Sequence, residues 1–131
     1  MAEPRVRFVN LQYGNVTDDI DSFSRSHGIE IDSFPEAIED LDEFAALLKA
    51  LDLVITVCNT TVHYAGALGK PCWVLTPHVP EWRYGLTAPR MHWYPSTRMF
   101  RQPSPGDWTS VISEAHAALV HWLDQCNPQV A

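Results

Sequence analysis

The sequence has no long hydrophobic run and little positive charge. No stretch reaches the roughly 18 consecutive apolar residues of a membrane-spanning helix. The N-terminal residues Met1-Ala-Glu-Pro-Arg5 are not followed by the apolar core of a signal peptide. Asp and Glu number 16 against 9 Lys and Arg, so the formal net charge is −7, whereas nucleic-acid-binding domains carry a basic face. We therefore expect a cytoplasmic protein that spans no membrane and binds no nucleic acid.

Cysteine is also scarce, with three residues, Cys58, Cys72 and Cys126. The number is odd, the spacing is wide and no C-x-x-C pair occurs, so neither a disulfide framework nor a zinc site is indicated. Cys58 and Cys72 lie in apolar runs, where a free thiol usually behaves as a small buried hydrophobic side chain. We expect both to be inert core thiols.

The composition that remains is that of one globular domain. The chain has 131 residues, of which 46% are hydrophobic and 19% are charged, which suffices for one packed core. No internal repeat and no low-complexity segment is visible. Residues 1–131 are therefore predicted to form a single domain.

The order of the secondary structure predicts an α/β fold. Residues 53–57, Leu-Val-Ile-Thr-Val, form a continuous apolar run that suits a strand covered on both faces. Asp40 and Asp107 each precede an amphipathic run and are expected to cap a helix. Alternating strands and helices with short connections indicate a parallel, doubly wound, Rossmann-like sheet in three layers. Strands are predicted at 6–11, 29–34, 53–57, 72–76 and 99–100, and helices at 17–26, 40–51, 60–68 and after residue 107.

Residues 77–96 interrupt this alternation. The segment combines four prolines with four large aromatic side chains, Trp82, Tyr84, Trp93 and Tyr94. Irregular segments of this length in a compact domain are usually functional or mobile. This segment is therefore a candidate for part of a binding site.

A second candidate site follows the predicted strand at 53–57. Ligands of parallel sheets bind beyond the carboxyl ends of the strands. Asn59, Thr60 and Thr61 turn this strand directly into a helix, so backbone amides and two hydroxyls lie at the positive end of a helix dipole, where phosphate groups bind. The same residues are also ordinary helix caps. His63, on the first helical turn, is as easily a packed side chain as a ligand-binding one.

Three stretches form recognisable motifs: 9–12 (VNLQ), 52–77 (DLVITVCNTTVHYAGALGKPCWVLTP) and 93–102 (WYPSTRMFRQ). Together they resemble the glycosyltransferases of the GT-B fold, which consist of two Rossmann-like domains. The resemblance is greatest to bacterial glycosyltransferases appended to tetratricopeptide repeats, which are related to heptosyltransferases and O-linked N-acetylglucosamine transferases. It covers roughly residues 5 to 123.

The resemblance implies that the chain is the C-terminal, donor-binding half of such an enzyme, lacking the first strand of that half. A nucleotide-sugar would be the donor substrate, with its diphosphate at the helix start and with no metal or cofactor. Two D-x-D patterns, at residues 19–21 and 40–42, lie where helix caps are expected and are interpreted as capping or solvated residues. The donor-binding residues implied by the resemblance are Gln12, Asn59, Thr60, Thr61, His63 and Arg83.

Two departures from the family pattern leave alternatives open. Relatives often carry an acidic residue before the position of Asn59, where this chain has Cys58. We expect these 131 residues to be too few to include the N-terminal acceptor domain that the fold needs, and no residue stands out as a catalytic base, so the isolated chain is predicted to be inactive. The alternative is a non-catalytic binding or assembly module that retains the fold. An unpaired strand edge would also permit a homodimer. A phosphoacceptor receiver domain is disfavoured, because Cys58-Asn59 stands where its aspartate would be.

Overall fold

The structure, a computed structural model, describes residues 3–126 and is of the α/β class. All pairings between its named strands are parallel, as the sequence predicts. None of the helices described within this range is long and apolar enough to cross a membrane. The elements are β1 (Phe8–Asn10), α1 (Thr17–His27), β2 (Ile31–Ser33), α2 (Pro35–Glu39), α3 (Leu41–Ala50), β3 (Val54–Val57), α4 (Thr60–Ala67), β4 (Cys72–Thr76), a one-turn 3₁₀ helix (Trp82–Tyr84), β5 (Thr97–Arg101) and α5 (Trp108–Cys126).

The chain separates into two compact units, with the boundary between Leu47 and Leu48 inside α3. We call them the N-terminal unit and the C-terminal unit. Their strands form two sheets, β1-β2 and β3-β4-β5. The prediction that residues 1–131 are one donor-binding domain is not tested by this division and stays a prediction.

The N-terminal unit contains the two-stranded sheet and three helical segments. Arg7 and Asp32 join β1 to β2 through an ion pair of 2.6 Å. Asp40 caps α3 as predicted, because its Oδ1 accepts the backbone N–H groups of Asp42 and Glu43 at 2.9 and 3.0 Å. The short helix α2 was not predicted. It begins at Pro35, a residue whose fixed φ favours the first helical turn.

The C-terminal unit has β4 at the centre of its three-stranded sheet. Cys72, Val74 and Thr76 on one face of β4 are fully buried, and Trp73 on the other face is 7% exposed. Trp73 and Phe100, with ring centroids 5.2 Å apart, pack with Val111 and Ala115 of α5. Apolar side chains buried on both faces of β4 therefore supply most of the core of this unit.

The prediction that residues 53–57 are covered on both faces is wrong. Within β3, Val54 is buried, but Ile55 and Val57 are 42% and 50% exposed. These two side chains share a face with their partners across the parallel register, Trp73 for Ile55 and Leu75 for Val57. Since β3 is the edge strand of this sheet and α5 packs on β4 and β5, the apolar face of β3 stays open. The strand covered on both faces is β4.

The connection from β4 to β5 explains why residues 77–96 have no regular pattern. Parallel strands need a long crossover, usually an α-helix, to return the chain to the same sheet end. Here the crossover contains one 3₁₀ turn, and it is held to the unit by two buried side chains, Tyr84 and Met91, which are 3% and 2% exposed. The strand that follows is longer than predicted, spanning Thr97–Arg101 instead of two residues.

Candidate functional site

The helix start after β3 is built around the side chain of Asn59. This residue has extended backbone angles and is the N-cap of α4. Its Oδ1 accepts the backbone N–H of Thr61 at 3.0 Å and the hydroxyl of Thr56 at 3.1 Å. The capping function is therefore confirmed. Thr56 lies on β3, so the bond from its hydroxyl fixes the orientation of the Asn59 amide before any ligand arrives.

The two threonines that follow differ in accessibility. Asn59 and Thr60 are exposed, whereas Thr61 is 1% exposed. The expectation that two hydroxyls are presented to a ligand therefore needs correction. Thr61 is buried, because the first turn of α4 directs its side chain inward, and its N–H is already bonded to Asn59. Thr60 keeps an accessible side chain at the corner.

His63 lies one turn further along α4 and is half-buried. Its Nδ1 is 3.4 Å from the hydroxyl of Tyr94, and the two rings meet edge to face with centroids 5.8 Å apart. The ring of Tyr94 also occupies the space that a Cβ on Gly66 would need. Gly66 thus allows Tyr94 to pack on α4, and Tyr94 in turn fixes His63. His63 is a packed side chain in this structure, with part of its ring accessible.

Cys58, at the carboxyl end of β3, is half-buried and lies beside Thr76 and Tyr84. Burial, followed by the negative charge of Glu81, raises the pKa of the Cys58 thiol. Burial also raises the pKa of Tyr84 to about 12. Both groups are neutral at ordinary pH, which supports the interpretation of Cys58 as an unreactive thiol. Cys72 is buried, and burial raises the pKa of its thiol to about 12.

Gln102 connects three segments at the carboxyl edge of this sheet, and the sequence reasoning missed it. Its side chain is 5% exposed. Its Oε1 accepts the backbone N–H groups of His78, at 3.1 Å, and Gly106, at 3.3 Å. Its own N–H donates to the carbonyl of Thr76 at 3.0 Å, and its carbonyl lies 3.1 Å from His78 Nδ1. A polar residue directly after a predicted strand was the available signal.

Arg101 was missed in the same way, although it ends β5 at this edge. Its guanidinium donates to the carbonyl oxygens of Tyr84, Gly85 and Ala88, with Nη1 at 3.0 Å from Gly85 and Nη2 at 3.0 Å from Ala88. Burial lowers the pKa of Arg101, and the negative form of Cys58 would oppose this shift. Arg101 therefore holds the crossover segment against the sheet through neutral carbonyl groups.

The remaining predicted residues lie in two places. Arg83, in the 3₁₀ turn of the C-terminal unit, forms an ion pair with Glu81, and its guanidinium lies 5.4 Å from the centre of the Trp82 ring. This turn lies at the carboxyl edge of the sheet, because Arg101, which ends β5, donates to the carbonyl groups of Tyr84 and Gly85. Gln12 belongs to the N-terminal unit, is exposed and donates its N–H to Asn10 Oδ1 at 3.0 Å.

The two D-x-D patterns lie at the starts of α1 and α3, where the sequence predicts capping residues. Asp40 is the N-cap of α3, and Asp19 lies in the first turn of α1, where a negative charge interacts favourably with the helix dipole. Among residues 3–126 no cluster of three or more His, Cys, Asp or Glu side chains is arranged to hold a metal ion.

The chain is 40% identical over 119 residues to Protein FlbA of Caulobacter vibrioides (strain ATCC 19089 / CIP 103742 / CB 15). The match covers 88% of this chain and 20% of FlbA, so the chain spans about a fifth of the length of that relative. No protein-family profile matches the chain, and no solved structure matches it. The chain is therefore similar to a segment of FlbA.

Proposed function

We propose that the chain is the nucleotide-sugar-binding portion of a metal-independent glycosyltransferase and that it holds the donor diphosphate at the start of α4. The observation that carries the proposal is the exposed corner at Asn59 and Thr60, which lies at the carboxyl end of β3. Open parallel sheets bind their ligands at this edge. Residues 1–131 on their own are expected to bind the donor weakly and to transfer no sugar, because enzymes of the GT-B fold need a second Rossmann-like domain for the acceptor.

Electrostatics at this corner favour an anionic ligand. The first turn of α4 lies at the positive end of the helix dipole. The N–H groups of Thr61 and Val62 are bonded to Asn59, so the dipole and the group at Thr60 carry the attraction. In glycosyl transfer, negative charge grows on the leaving diphosphate, and preorganised N–H and hydroxyl donors stabilise it without a metal. Thr60 offers an exposed hydroxyl here, and His63 lies one turn along the same helix. The buried side chain of Thr61 contributes packing, and its backbone N–H donates to Asn59 Oδ1.

The donor residues outside this corner are part of the proposal with different support. Arg83 supplies a cation on the crossover segment, although its ion pair with Glu81 reduces the charge available to a diphosphate. Gln12 is exposed at the end of the run that begins with β1 in the N-terminal unit. Its inclusion among the donor-binding residues rests on the family resemblance.

A variant that adds a negative charge tests the diphosphate proposal. Calorimetric titration with the diphosphates of uridine, adenosine, guanosine and cytidine should show binding of at least one of them to the wild-type chain. Asn59→Asp keeps a good N-cap but places a negative charge beside the ligand, so we expect at least about a tenfold loss of affinity with little change in stability.

Asn59→Ser is the matched control, because Ser caps a helix about as well as Asn and adds no charge. It should retain most of the affinity. Failure of every diphosphate to bind at millimolar concentration, or equal binding by wild type and Asn59→Asp, would refute the proposal.

The second candidate function is a non-catalytic binding or assembly module. Cys58 favours it, because a half-buried neutral thiol stands where related enzymes often carry an acidic side chain. The double variant Asn59→Ala and Thr60→Ala, made in the complete gene product, separates the two candidates. Loss of cellular function supports the donor-binding proposal, whereas unchanged function supports the module.

A further inference from the structure

The crossover segment exposes an unusual amount of aromatic surface. Trp82 and Trp93 are 74% and 62% exposed, and their rings meet edge to face with centroids 6.4 Å apart. We call this pair the tryptophan corner. Indole rings are large apolar groups that proteins normally bury at least in part, and exposed groups of them mark binding surfaces.

The backbone beneath the tryptophan corner is held in place on both sides. On the side of Trp82, the buried Tyr84 anchors the 3₁₀ turn, and Arg101 binds the carbonyl groups that follow it. On the side of Trp93, the buried Met91 donates its N–H to the carbonyl of Thr97. The two exposed rings are thus presented by a fixed scaffold, which lowers the entropy lost when a ligand is bound.

The two charged groups beside Trp82 form a neutral pair. Glu81 and Arg83 form an ion pair next to Trp82, and the guanidinium of Arg83 lies against the indole ring. The carboxylate accepts hydrogen bonds and the guanidinium donates them, so the pair suits hydroxyl groups, which do both. A phosphate bound beside Trp82 would need an excess of positive charge there, and an organic cation would need an excess of negative charge.

From these features we infer that the tryptophan corner binds a pyranose ring. The C–H groups on one face of a pyranose form an apolar, weakly positive surface that complements the negative face of an indole. The equatorial hydroxyls at the ring edge then reach Glu81 and Arg83. This inference deepens the proposed function and rests on it only for the source of the sugar. That source is either the sugar of the donor or a separate glycan.

The test uses the full chain with ¹⁵N-labelled tryptophan and follows the five indole N–H signals by NMR. The probes are methyl α-glucopyranoside, methyl α-mannopyranoside and methyl N-acetyl-β-glucosaminide, with uridine and adenosine as flat-ring comparisons. At least one pyranoside should shift the signals of Trp82 and Trp93, which are assigned by their loss in single variants. Trp82→Ala should weaken that binding at least about tenfold.

Trp108→Ala is the matched control, because Trp108 is exposed but begins α5, outside the corner. It should leave pyranoside binding unchanged. The inference is overturned if no pyranoside shifts these signals, if Trp108→Ala weakens binding as much as Trp82→Ala, or if only the nucleosides bind.

Two further measurements separate this inference from the diphosphate proposal and identify the source of the sugar. Asn59→Asp should lose affinity for uridine diphosphate but should still bind the pyranoside. Failure of the diphosphate proposal and failure of the tryptophan corner therefore give different results. Displacement of the pyranoside by uridine diphosphate N-acetylglucosamine, but not by uridine diphosphate, identifies the donor's sugar as the ligand. Retention of the pyranoside under both identifies a separate glycan, and either result supports a sugar site.

Discussion

Two buried threonines of the C-terminal unit have different hydrogen bonding. Thr76 and Thr97 are both 0% exposed. The hydroxyl of Thr76 donates to the carbonyl of Val74 at 3.1 Å, whereas the hydroxyl of Thr97 has no hydrogen-bond partner among the described residues. A buried hydroxyl without a partner loses its hydration and gains nothing in return. Thr97 therefore lowers the stability of a strand whose register is otherwise complete.

Replacing Thr97 by Val should stabilise the protein. Val keeps the shape and the β-branching, so only the unpaired hydroxyl is removed, and we expect the free energy of unfolding to rise by about 1 kcal/mol. Thr76→Val is the matched control and should lower it by about 1 kcal/mol, because a formed bond is lost. Urea unfolding of both variants measures the difference. Equal destabilisation by the two changes would contradict this account.

The residue scale also shows how polar side chains place the candidate site. Asn59, Gln102 and Arg101 each end or follow a strand, and each bonds to backbone groups of another segment. Asn59 was identified from the sequence because Asn followed by two Thr is a familiar helix start. Gln102 and Arg101 were missed because Gln102 bonds to His78, 24 residues away, and Arg101 bonds to Ala88, 13 residues away, and no local pattern connects these segments.

At the scale of elements, the residue before α5 makes the stability of this helix respond to pH. Asp107 precedes α5 and accepts both the hydroxyl and the backbone N–H of Ser110, at 2.6 and 3.0 Å. These two bonds hold the pKa of Asp107 below its ordinary value of 3.8. A carboxylate whose pKa is depressed in the folded state stabilises the fold above its unfolded pKa, and that contribution is lost as the pH falls through the folded pKa.

Asp107→Asn should therefore flatten the acid limb of the stability curve. Asn keeps a capping oxygen but has no proton to take up, so the variant should lose less stability than wild type below about pH 4. Thermal unfolding midpoints measured from neutral pH down to the acid range test this. Parallel curves for the two proteins would show that Asp107 makes no contribution to acid sensitivity.

Local patterns predict the positions of most helices and strands, whereas packing decides which of their side chains are exposed. The positions of α3, α4, α5 and β4 followed from hydrophobic periodicity, capping residues and the Gly69-x-Pro71 ending of α4. The exposure of Ile55 and Val57 did not, because a continuous apolar run looks the same at a sheet edge and at its centre. Only the order of the strands distinguishes the two.

For the whole molecule, the two units differ in how much they bury. The N-terminal unit includes α1, which buries no residue, and its sheet has strands of three residues. The C-terminal unit has β4 buried on both faces together with the packed face of α5. Local stability follows the amount of buried apolar contact, so the two units should open with different free energies.

Amide hydrogen exchange is the measurement for this difference. We expect the amides of α1 to exchange at least about tenfold faster than those of β4, because a difference of 1.4 kcal/mol in opening free energy is a factor of ten. The comparison of α1 with α5, both surface helices, controls for helix position. Equal protection in α1 and β4 would mean that the chain opens as one cooperative body.

The sequence by itself determined the α/β class, the parallel strands, the identity of most helices and the capped helix start at Asn59. Each of these follows from local rules: periodicity, β-branched runs and capping chemistry act within a few residues. The tertiary structure decided which strand is central, which threonine of the pair at 60 and 61 is accessible, and how residues 77–96 display Trp82 and Trp93 on a fixed backbone. These depend on contacts between segments distant in sequence, and burial is a property of the assembled fold rather than of any one segment.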